Sequence, residues 1–479
     1  MTRLTWGWRL LAILMLAGCA RLPAPRDVGI AAGPLYTFVV LSADGVPIAR
    51  AITSAASCPT IELDDVARAM TVRALPGTMP LRPTVSPPSP SKPSAFPVLT
   101  CEAAIPAGVA RAAIDGRALP LPKATPRTIV VLGDSGCRMA NAGSVFQTCN
   151  DRAQWPLATI ASTAAASAPD LVIHVGDYHY RENACPPGNA GCAGSPWGYG
   201  WDVWEADFFA PAAKLLAVAP WIVVRGNHES CARAGQGWWR FLDPRPLAAR
   251  QDCNDAADDA VGDFSEPYAV PLGTDASSDT QFIVFDSSRV GIPPLQPGST
   301  MYENYRAQFG RAFALASRRA NTFFMDHHPV LAFAPNPAKP EAPYAGNAGL
   351  QSVLQALEPN TLFPTSIKAL LSGHVHLFEV VSFSTPHPPQ FVSGIGGDWV
   401  DTPLPLPLAI DQTPAPGAIV SSIVATNRFG FMRMQRDDAR WTMTARDVKG
   451  NPMTSCTLTG RRVDCAPTGW LGGDPRPGY

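Results

Sequence analysis

A chain of 479 residues with a formal net charge of −1 has no global basic field. That excludes binding to nucleic acid or anionic lipid through overall charge. Apolar residues make up 46%, enough for a large buried core, so a disordered chain is excluded too. Charged residues, at 16%, fall below the roughly 25% of average proteins, and the 50 prolines are about twice the usual share. The composition therefore implies ordered, proline-stiffened loops.

At the N-terminus, Arg3 and Arg9 precede the apolar run Leu10 to Leu16, which is too short to span a membrane comfortably. The run ends in Leu16-Ala17-Gly18-Cys19, which resembles a bacterial lipobox. The resemblance implies that residues 1–18 are a lipoprotein signal peptide and that Cys19 is lipidated as the mature N-terminus. Ala20 in place of Asp points to the outer membrane, with the protein exported and facing the periplasm or the surface. The alternative is an ordinary cleaved signal with a coincidental cysteine. No later segment has the roughly 20 apolar residues of a spanning helix.

Residues 19–125 read as a small β-rich N-terminal domain, with strand-like YTFVVL and AMTVRAL. The proline-rich stretch PGTMPLRPTVSPPSPSKPSAFP interrupts it as a loop. From residue 126 a different rhythm begins: TIVVLGD, DLVIHVGD, WIVVRGNHE, QFIVFDSS, NTFFMDHHP and IKALLSGHVH. Short continuous apolar runs of this kind suit strands buried on both faces. Helix-compatible stretches fall between them at Trp155 to Ala168, Trp201 to Ala217 and Asn304 to Arg319. The alternation predicts a layered α/β fold in which ligands collect beyond the carboxyl ends of strands. FGFMRMQ, ARWTMTARDV and SCTLTGRRVDC read as strands that finish the catalytic domain, 126–479. No internal repeat stands out.

Of eleven cysteines, ten remain once Cys19 is set aside, an even number in an exported chain. Proximity in sequence suggests Cys137–Cys149, Cys185–Cys192, Cys231–Cys253 and Cys456–Cys465, with Cys58–Cys101 across the N-terminal region. Spacing alone leaves this connectivity open.

Five polar motifs stand at strand ends: Asp134 in GDSG, Asp177 in GDYHY, Asn227-His228 in GNHE, His327 in DHHP, and His374 and His376 in GHVH. Each alone is weak, because a strand-end Asp is usually a turn former and a lone His an ordinary core residue. Together and in this order, they resemble the calcineurin-like metallophosphoesterases, and more specifically the purple acid phosphatases. The resemblance covers roughly Thr128 to Val400, including WDVWEADFFAPAAKLL and GIGGD. It implies a layered metallophosphoesterase-type β-sandwich flanked by helices.

The resemblance further implies two metal ions, one held by Asp134, Asp177, Tyr180 and His376, the other by Asp177, Asn227, His327 and His374. Carboxylate, imidazole and amide oxygen suit borderline or hard metals, and an Asp with two oxygens can bridge, which makes Asp177 the natural shared ligand. His327 rather than His328 is the ligand, because the family ligand stands two residues before a proline and Pro329 fits. The broad family pattern has Asp-X-His in the first motif, whereas here the third position is Gly136. Tyr180, three residues after Asp177, is where the purple phosphatases place a coordinating tyrosine. A phenol with a pKa near 10 needs a strongly polarising ion to bind as phenolate, so Fe(III) is expected beside it. The second ion is a divalent Fe, Zn or Mn. The alternative for Tyr180 is a buried hydrogen-bonding aromatic.

By the same resemblance His228 contacts substrate and assists the leaving group, a role an imidazole can fill as general acid. His328 and His179 are candidate substrate contacts. His174, Asp286, Glu229 and Arg225 read as structural, and His387 as exposed. The expected reaction is phosphomonoester hydrolysis by in-line attack of a metal-held hydroxide on a small phosphate ester. A phosphodiesterase or nucleotide-directed enzyme is the nearest alternative, and a catalytically silent surface-binding lipoprotein is the alternative of another class. No phosphate-cradling GxxxxGK[ST] loop and no GxSxG elbow is present. Membrane contact is expected only through the lipid anchor. Oligomeric state is left open.

Overall fold

The computed structural model describes residues 1–2, 35–86, 91–141, 144–275, 278–437 and 440–473. Cys19 and nearly all of the 1–18 segment lie outside the described residues. No helix among the described residues is long and apolar enough to cross a membrane.

The chain begins with strands β1 (Tyr36–Leu41), β2 (Pro47–Thr53), β3 (Thr71–Ala74) and β4 (Leu99–Ala104). β5 (Thr128–Leu132), β6 (Leu171–His174) and β7 (Trp221–Val223) follow. A second set comprises β8 (Tyr268–Pro271), β9 (Thr280–Val284), β10 (Asn321–Met325) and β11 (Ile367–Ser372). It continues with β12 (Phe378–Phe383), β13 (Gln390–Ser393) and β14 (Val420–Thr426). The last strands are β15 (Gly430–Asp437), β16 (Arg440–Asp447), β17 (Pro452–Thr459), β18 (Arg462–Ala466) and the short β19 (Gly469–Trp470).

Two large sheets result. The first runs β18-β17-β16-β15-β5-β6-β7-β1-β2-β4-β3, and the second runs β8-β9-β10-β11-β13-β12-β14-β19. In the first, β5, β6 and β7 are parallel, with Val172 opposite Trp221 and Val130 opposite Val172. In the second, β9, β10, β11 and β13 are parallel. The sheets face each other across a core that takes alternate residues from each strand. Ile129, Val131, Ile173 and Ile222 meet Phe282, Phe323, Met325 and Leu371 there. The intervening residues point the other way, as the two-residue strand period requires.

Val130, Leu132, Val172 and Trp221 pack under helices α1 (Leu157–Ala166) and α2 (Ala210–Leu216). On the far side, Ile283, Phe324 and Leu370 pack under α3 (Thr300–Ala316) and α4 (Ala348–Leu357). This is the expected β-sandwich flanked by helices, and it explains why the strands read as unbroken apolar runs.

The boundary expected at 125/126 does not separate two sheets. β1 pairs in parallel with β7, Val40 opposite Trp221, and β2, β4 and β3 extend the same sheet from it. The described parts of the proline-rich stretch are paired with the rest of the chain rather than forming a plain loop. Gly77–Met79 pairs with Ser94–Phe96, Val85 N–H donates to the Ala232 carbonyl, and Arg82 donates to the Cys253 carbonyl. It therefore buttresses the Cys231–Cys253 loop. All five expected disulfides are formed.

Candidate metal centre

The turns leaving β5, β6, β7, β10 and β11 carry the five motifs, and they meet at one end of the sandwich. Parallel strands bring this about, since their carboxyl ends share an edge. The backbone bends sharply there. Asp134, Asp177 and His374 take positive φ values of 56°, 58° and 69°, a left-handed conformation that costs energy outside glycine and clusters at functional sites. Hydrogen bonds hold these bends. The His374 N–H donates to both Asp134 oxygens (3.1 and 3.0 Å), and the His228 N–H donates to Asp177 Oδ1 (2.8 Å). Glu229 accepts the N–H groups of Asp177 (3.1 Å), Tyr178 (2.8 Å) and Gly226 (3.1 Å), tying two motif turns together.

The seven expected ligands form two touching groups. In one, Tyr180 Oη lies 3.0 Å from Asp134 Oδ1, 3.0 Å from Asp177 Oδ2 and 3.1 Å from His376 Nε2. In the other, Asn227 Oδ1 lies 3.1 Å from His327 Nε2 and 3.0 Å from His374 Nδ1. Asp177 Oδ2 belongs to both, because it is also 3.1 Å from His327 Nε2. Asp177, His327 and His374 offer ligand atoms that all lie within 4.8 Å of one another.

This donor set fits metal ions. The His327 Nδ1–H donates to the Val175 carbonyl (2.9 Å) and the His376 Nδ1–H to the Trp399 carbonyl (2.7 Å). Each neutral ring then aims the lone pair of Nε2 at oxygen lone pairs of Asn227, Asp177 or Asp134. Such a cluster of acceptors repels itself unless a cation or extra protons lie between them. The histidine pKa values report the same need. Burial alone would lower both rings, but Asp177 pushes His327 up to about 9, and Asp398 with Asp134 pushes His376 up to about 10. Fixing one ring nitrogen to a carbonyl so that the other faces the ion is a familiar way to orient ligating histidines.

The remaining titrations are shaped by burial. Burial and the neighbouring His327 hold His374 down to about 3. Burial opposes ionisation of Asp177, yet His327 and His228 keep its carboxyl well below the usual range. Burial, followed by Asp134 and Asp177, raises the Tyr180 phenol well above its ordinary value. Only a nearby cation can therefore make it a phenolate. Glu229 is pushed up to about 8 by burial and Asp177, against the N–H groups it accepts.

A cavity of about 430 Å³ opens over the cluster, lined by Arg138, Asn227, His228, Arg233, His374 and Trp399 among others. His228 is brought to it. Its ring lies tilted against that of Tyr180 (4.0 Å between centroids, 39° between planes), and its Nε2 accepts from Arg233 (2.8 Å). His328 is packed 4.2 Å from the His374 ring and bonded through Nδ1 to Ser287 Oγ (3.1 Å).

His179 is not brought to the cavity. It is fully buried, with Nε2 on the Gly198 carbonyl (2.8 Å) and its ring against Tyr199, because the turn after Asp177 points it away from Tyr180. His387 corrects another expectation. Only 3% exposed, it is bonded to Thr385 Oγ1 and packed near Phe383. His174 is a core residue stacked on Tyr178, and Arg225 braces Asp286 and the Glu229 carbonyl.

Two residues of this site, Arg138 and Arg233, went unread in the sequence. Arg138 binds Asp398 through both carboxylate oxygens, and its guanidinium lies 5.0 Å from the centre of the Tyr180 ring. Arg233 bridges Glu182 and His228. Asp398, which ends the GIGGD segment, lies 3.1 Å from His376 Nδ1. A cation near each strand-end motif was the available signal, and it is a weak one.

Residues 127–378 match the family model described as calcineurin-like phosphoesterase. Comparison with curated protein sequences gives no match. Among solved structures, the purple acid phosphatase PPD1 from yellow lupin (Lupinus luteus) seeds is similar, with a TM-score of 0.56 and 14% identity. That alignment covers 89% of this chain and 74% of the lupin chain. A structure of PhoD aligns with a TM-score of 0.51 and 12% identity, over 93% of this chain and 95% of that one. At these identities the two structures speak for the fold. With more than half its length matched by the family model and its five strand-end motifs gathered into one donor cluster, this chain belongs to the calcineurin-like phosphoesterases and has a purple acid phosphatase-like fold.

Proposed function

We propose that this protein hydrolyses phosphomonoesters at a dinuclear metal site in which Tyr180 is a ligand. The observation that carries the reading is the single oxygen Asp177 Oδ2, 3.0 Å from Tyr180 Oη and 3.1 Å from His327 Nε2. One carboxylate oxygen thus faces both ligand groups, the arrangement a bridging residue needs. When bound, Fe(III) near Tyr180 and a divalent Fe, Zn or Mn near Asn227 supply Lewis acidity toward water and the phosphoryl oxygens.

The chain's own residues bind and orient the ester. Arg138 and Arg233 line the cavity, and guanidinium groups pair well with phosphate oxygens. Burial and Arg233 hold His228 well below its ordinary pKa, so the ring is neutral. Arg233 donates to its Nε2, which leaves the ring proton on Nδ1, 3.5 Å from Glu182 Oε1. Proton delivery to a departing alcohol therefore calls for Arg233 to leave Nε2 for the phosphate, so that Nε2 can take up a proton from water and pass it to the leaving oxygen. His328 supports His374 from behind rather than touching the ester. We also propose export and anchoring at the outer membrane through lipidated Cys19, supported by Leu16-Ala17-Gly18-Cys19 and by five disulfides, which suit an oxidising compartment.

The test is turnover of a chromogenic phosphomonoester and its matched diester from pH 4 to 9, with and without chelator. Metal analysis and a visible spectrum of wild type and Tyr180→Phe accompany it. The expected result is chelator-sensitive turnover favouring the monoester, and a charge-transfer band that disappears in Tyr180→Phe. No turnover across pH and metals sinks the enzymatic reading, and a surviving band sinks the tyrosinate.

A further inference from the structure

Tyr180 reaches the ligand cluster from a turn whose backbone is held by a residue far from it in sequence. Asp207 lies in the helical segment Glu205–Phe209 that leads into α2, and it is fully buried. Its Oδ2 accepts the N–H groups of Tyr180 (2.8 Å) and Arg181 (3.1 Å). Its Oδ1 accepts the Cys137 N–H (3.1 Å) and the Arg181 Nε–H (2.6 Å). One carboxylate thus joins the turn after β5 to the turn after β6. Its charge is matched by Arg181, whose guanidinium lies over the Trp155 ring at 4.8 Å.

The same carboxylate fills the space beside Gly136. A Cβ added at residue 136 would meet Tyr178 O at 2.8 Å, and Asp207 Oδ2 and Tyr180 N at 2.9 Å each. Contacts under 3.0 Å are ones that real Cβ atoms essentially never show, and two of these three atoms are backbone. No side chain at 136 can coexist with Asp207 and with the Tyr180 turn as placed. The absent side chain at 136 and the tyrosine at 180 are therefore two ends of one packing arrangement, with Asp207 between them.

We infer that Asp207 is the positioning residue for Tyr180: it occupies the room vacated at Gly136 and fixes the peptide from which the phenol extends toward Asp134 and Asp177. The inference rests on the reading of Tyr180 as a ligand. Asp207 touches neither substrate nor any ligand atom, so its effect passes entirely through the placement of the phenol. Four accepted N–H bonds on one carboxylate make that placement rigid, as second-layer partners of metal ligands generally do.

The experiment uses the full-length, metal-loaded protein and reads the Tyr180-dependent visible band per bound iron, together with metal affinity by chelator competition. Asp207→Asn keeps the volume, but whichever way the amide turns, its NH₂ opposes N–H groups. The expected result is a shifted or weakened band and metal affinity lower by about 10–100-fold. Gly136→Ala keeps the Asp207 charge and displaces the same turn; it is expected to give the same spectral change, and it answers the question if Asp207→Asn fails to fold. Asp243→Asn is the control, because Asp243 is equally buried and paired with Arg245 away from the ligands. It should lower thermal stability and leave the band unchanged. A wild-type band preserved in both test variants overturns the inference alone. A wild-type protein with no Tyr180-dependent band overturns the ligand reading and the inference with it.

Discussion

Gly226→Ala puts Asp177, the carboxylate proposed to bridge the two metals, under direct stress. Gly226 precedes Asn227 of the donor cluster, and its own backbone (φ −95°) suits any residue, so the obstacle is space alone. A methyl group there would lie 2.1 Å from Asp177 Oδ1 and 2.3 Å from the Asp177 nitrogen. Ordinary contact begins at 3.4 Å, so the carboxylate and its peptide must retreat by about 1.3 Å. That retreat breaks the 2.8 Å bond from the His228 N–H and pulls Oδ2 from Tyr180. Sites of this kind tolerate displacements of about 0.5 Å, so metal affinity is expected to fall by at least 10–100-fold, to order of magnitude. Overpacking should also cost the metal-free protein about 1–3 kcal/mol. Chelator competition reads the first effect and calorimetry after chelation reads the second. A Gly226→Ala protein that binds metal within twofold of wild type would refute the bridging geometry.

Further predictions follow from other sites. His228→Gln should lower the rate constant on an unactivated monoester by about 10²–10⁴, and much less on an ester with a good leaving group, as steady-state kinetics will show. Glu379 is fully buried, and burial raises its carboxyl from 4.5 to about 8 although it accepts the Phe333 N–H. Its neutral form is favoured on folding, so its contribution to stability is complete below about pH 4.5 and is lost as pH rises through 8. The loss is on the order of 4 kcal/mol, and Glu379→Gln should flatten the fall in Tm between pH 5 and 8.5. Gly310 lies inside α3 with open space around its missing Cβ, so Gly310→Ala should raise stability by about 1 kcal/mol in denaturant titration. Stripping the metals should lower Tm, by an amount equivalent to roughly 3 kcal/mol where free metal had stood at a hundred times its Kd.

Much of this arrangement could be read from sequence because burial on both faces leaves a direct mark. β5, β6 and β7 lie between helices on one side and the second sheet on the other, so each appears as an apolar run ending in a polar motif. The side chains that gather into the donor cluster were legible for the same reason, since each motif directly follows its strand. Arg138 and Arg233 were not, because a single cation in a disulfide-closed loop has no periodicity to betray its direction. His179 misled because neighbours in a tight turn diverge, so its proximity to Tyr180 in sequence was not proximity in space. The union of the N-terminal strands with the main sheet was hidden for another reason. The pairing of Val40 with Trp221 is a backbone contact across a long separation, and side chains do not encode it locally.

That pairing has a consequence for where the protein can be cut. The stretch matched by the family model, 127–378, contains β5, β6 and β7, but neither strand that flanks them. β15 covers the open side of β5, β1 covers that of β7, and β13 does the same for β11 in the second sheet. Excised at the family limits, the chain would present three bare rows of peptide N–H and carbonyl groups along apolar strands, a template for aggregation. The piece defined by descent is smaller than the piece that can stand in water, and the residues on either side of it serve as the selvedge that keeps the weave from running.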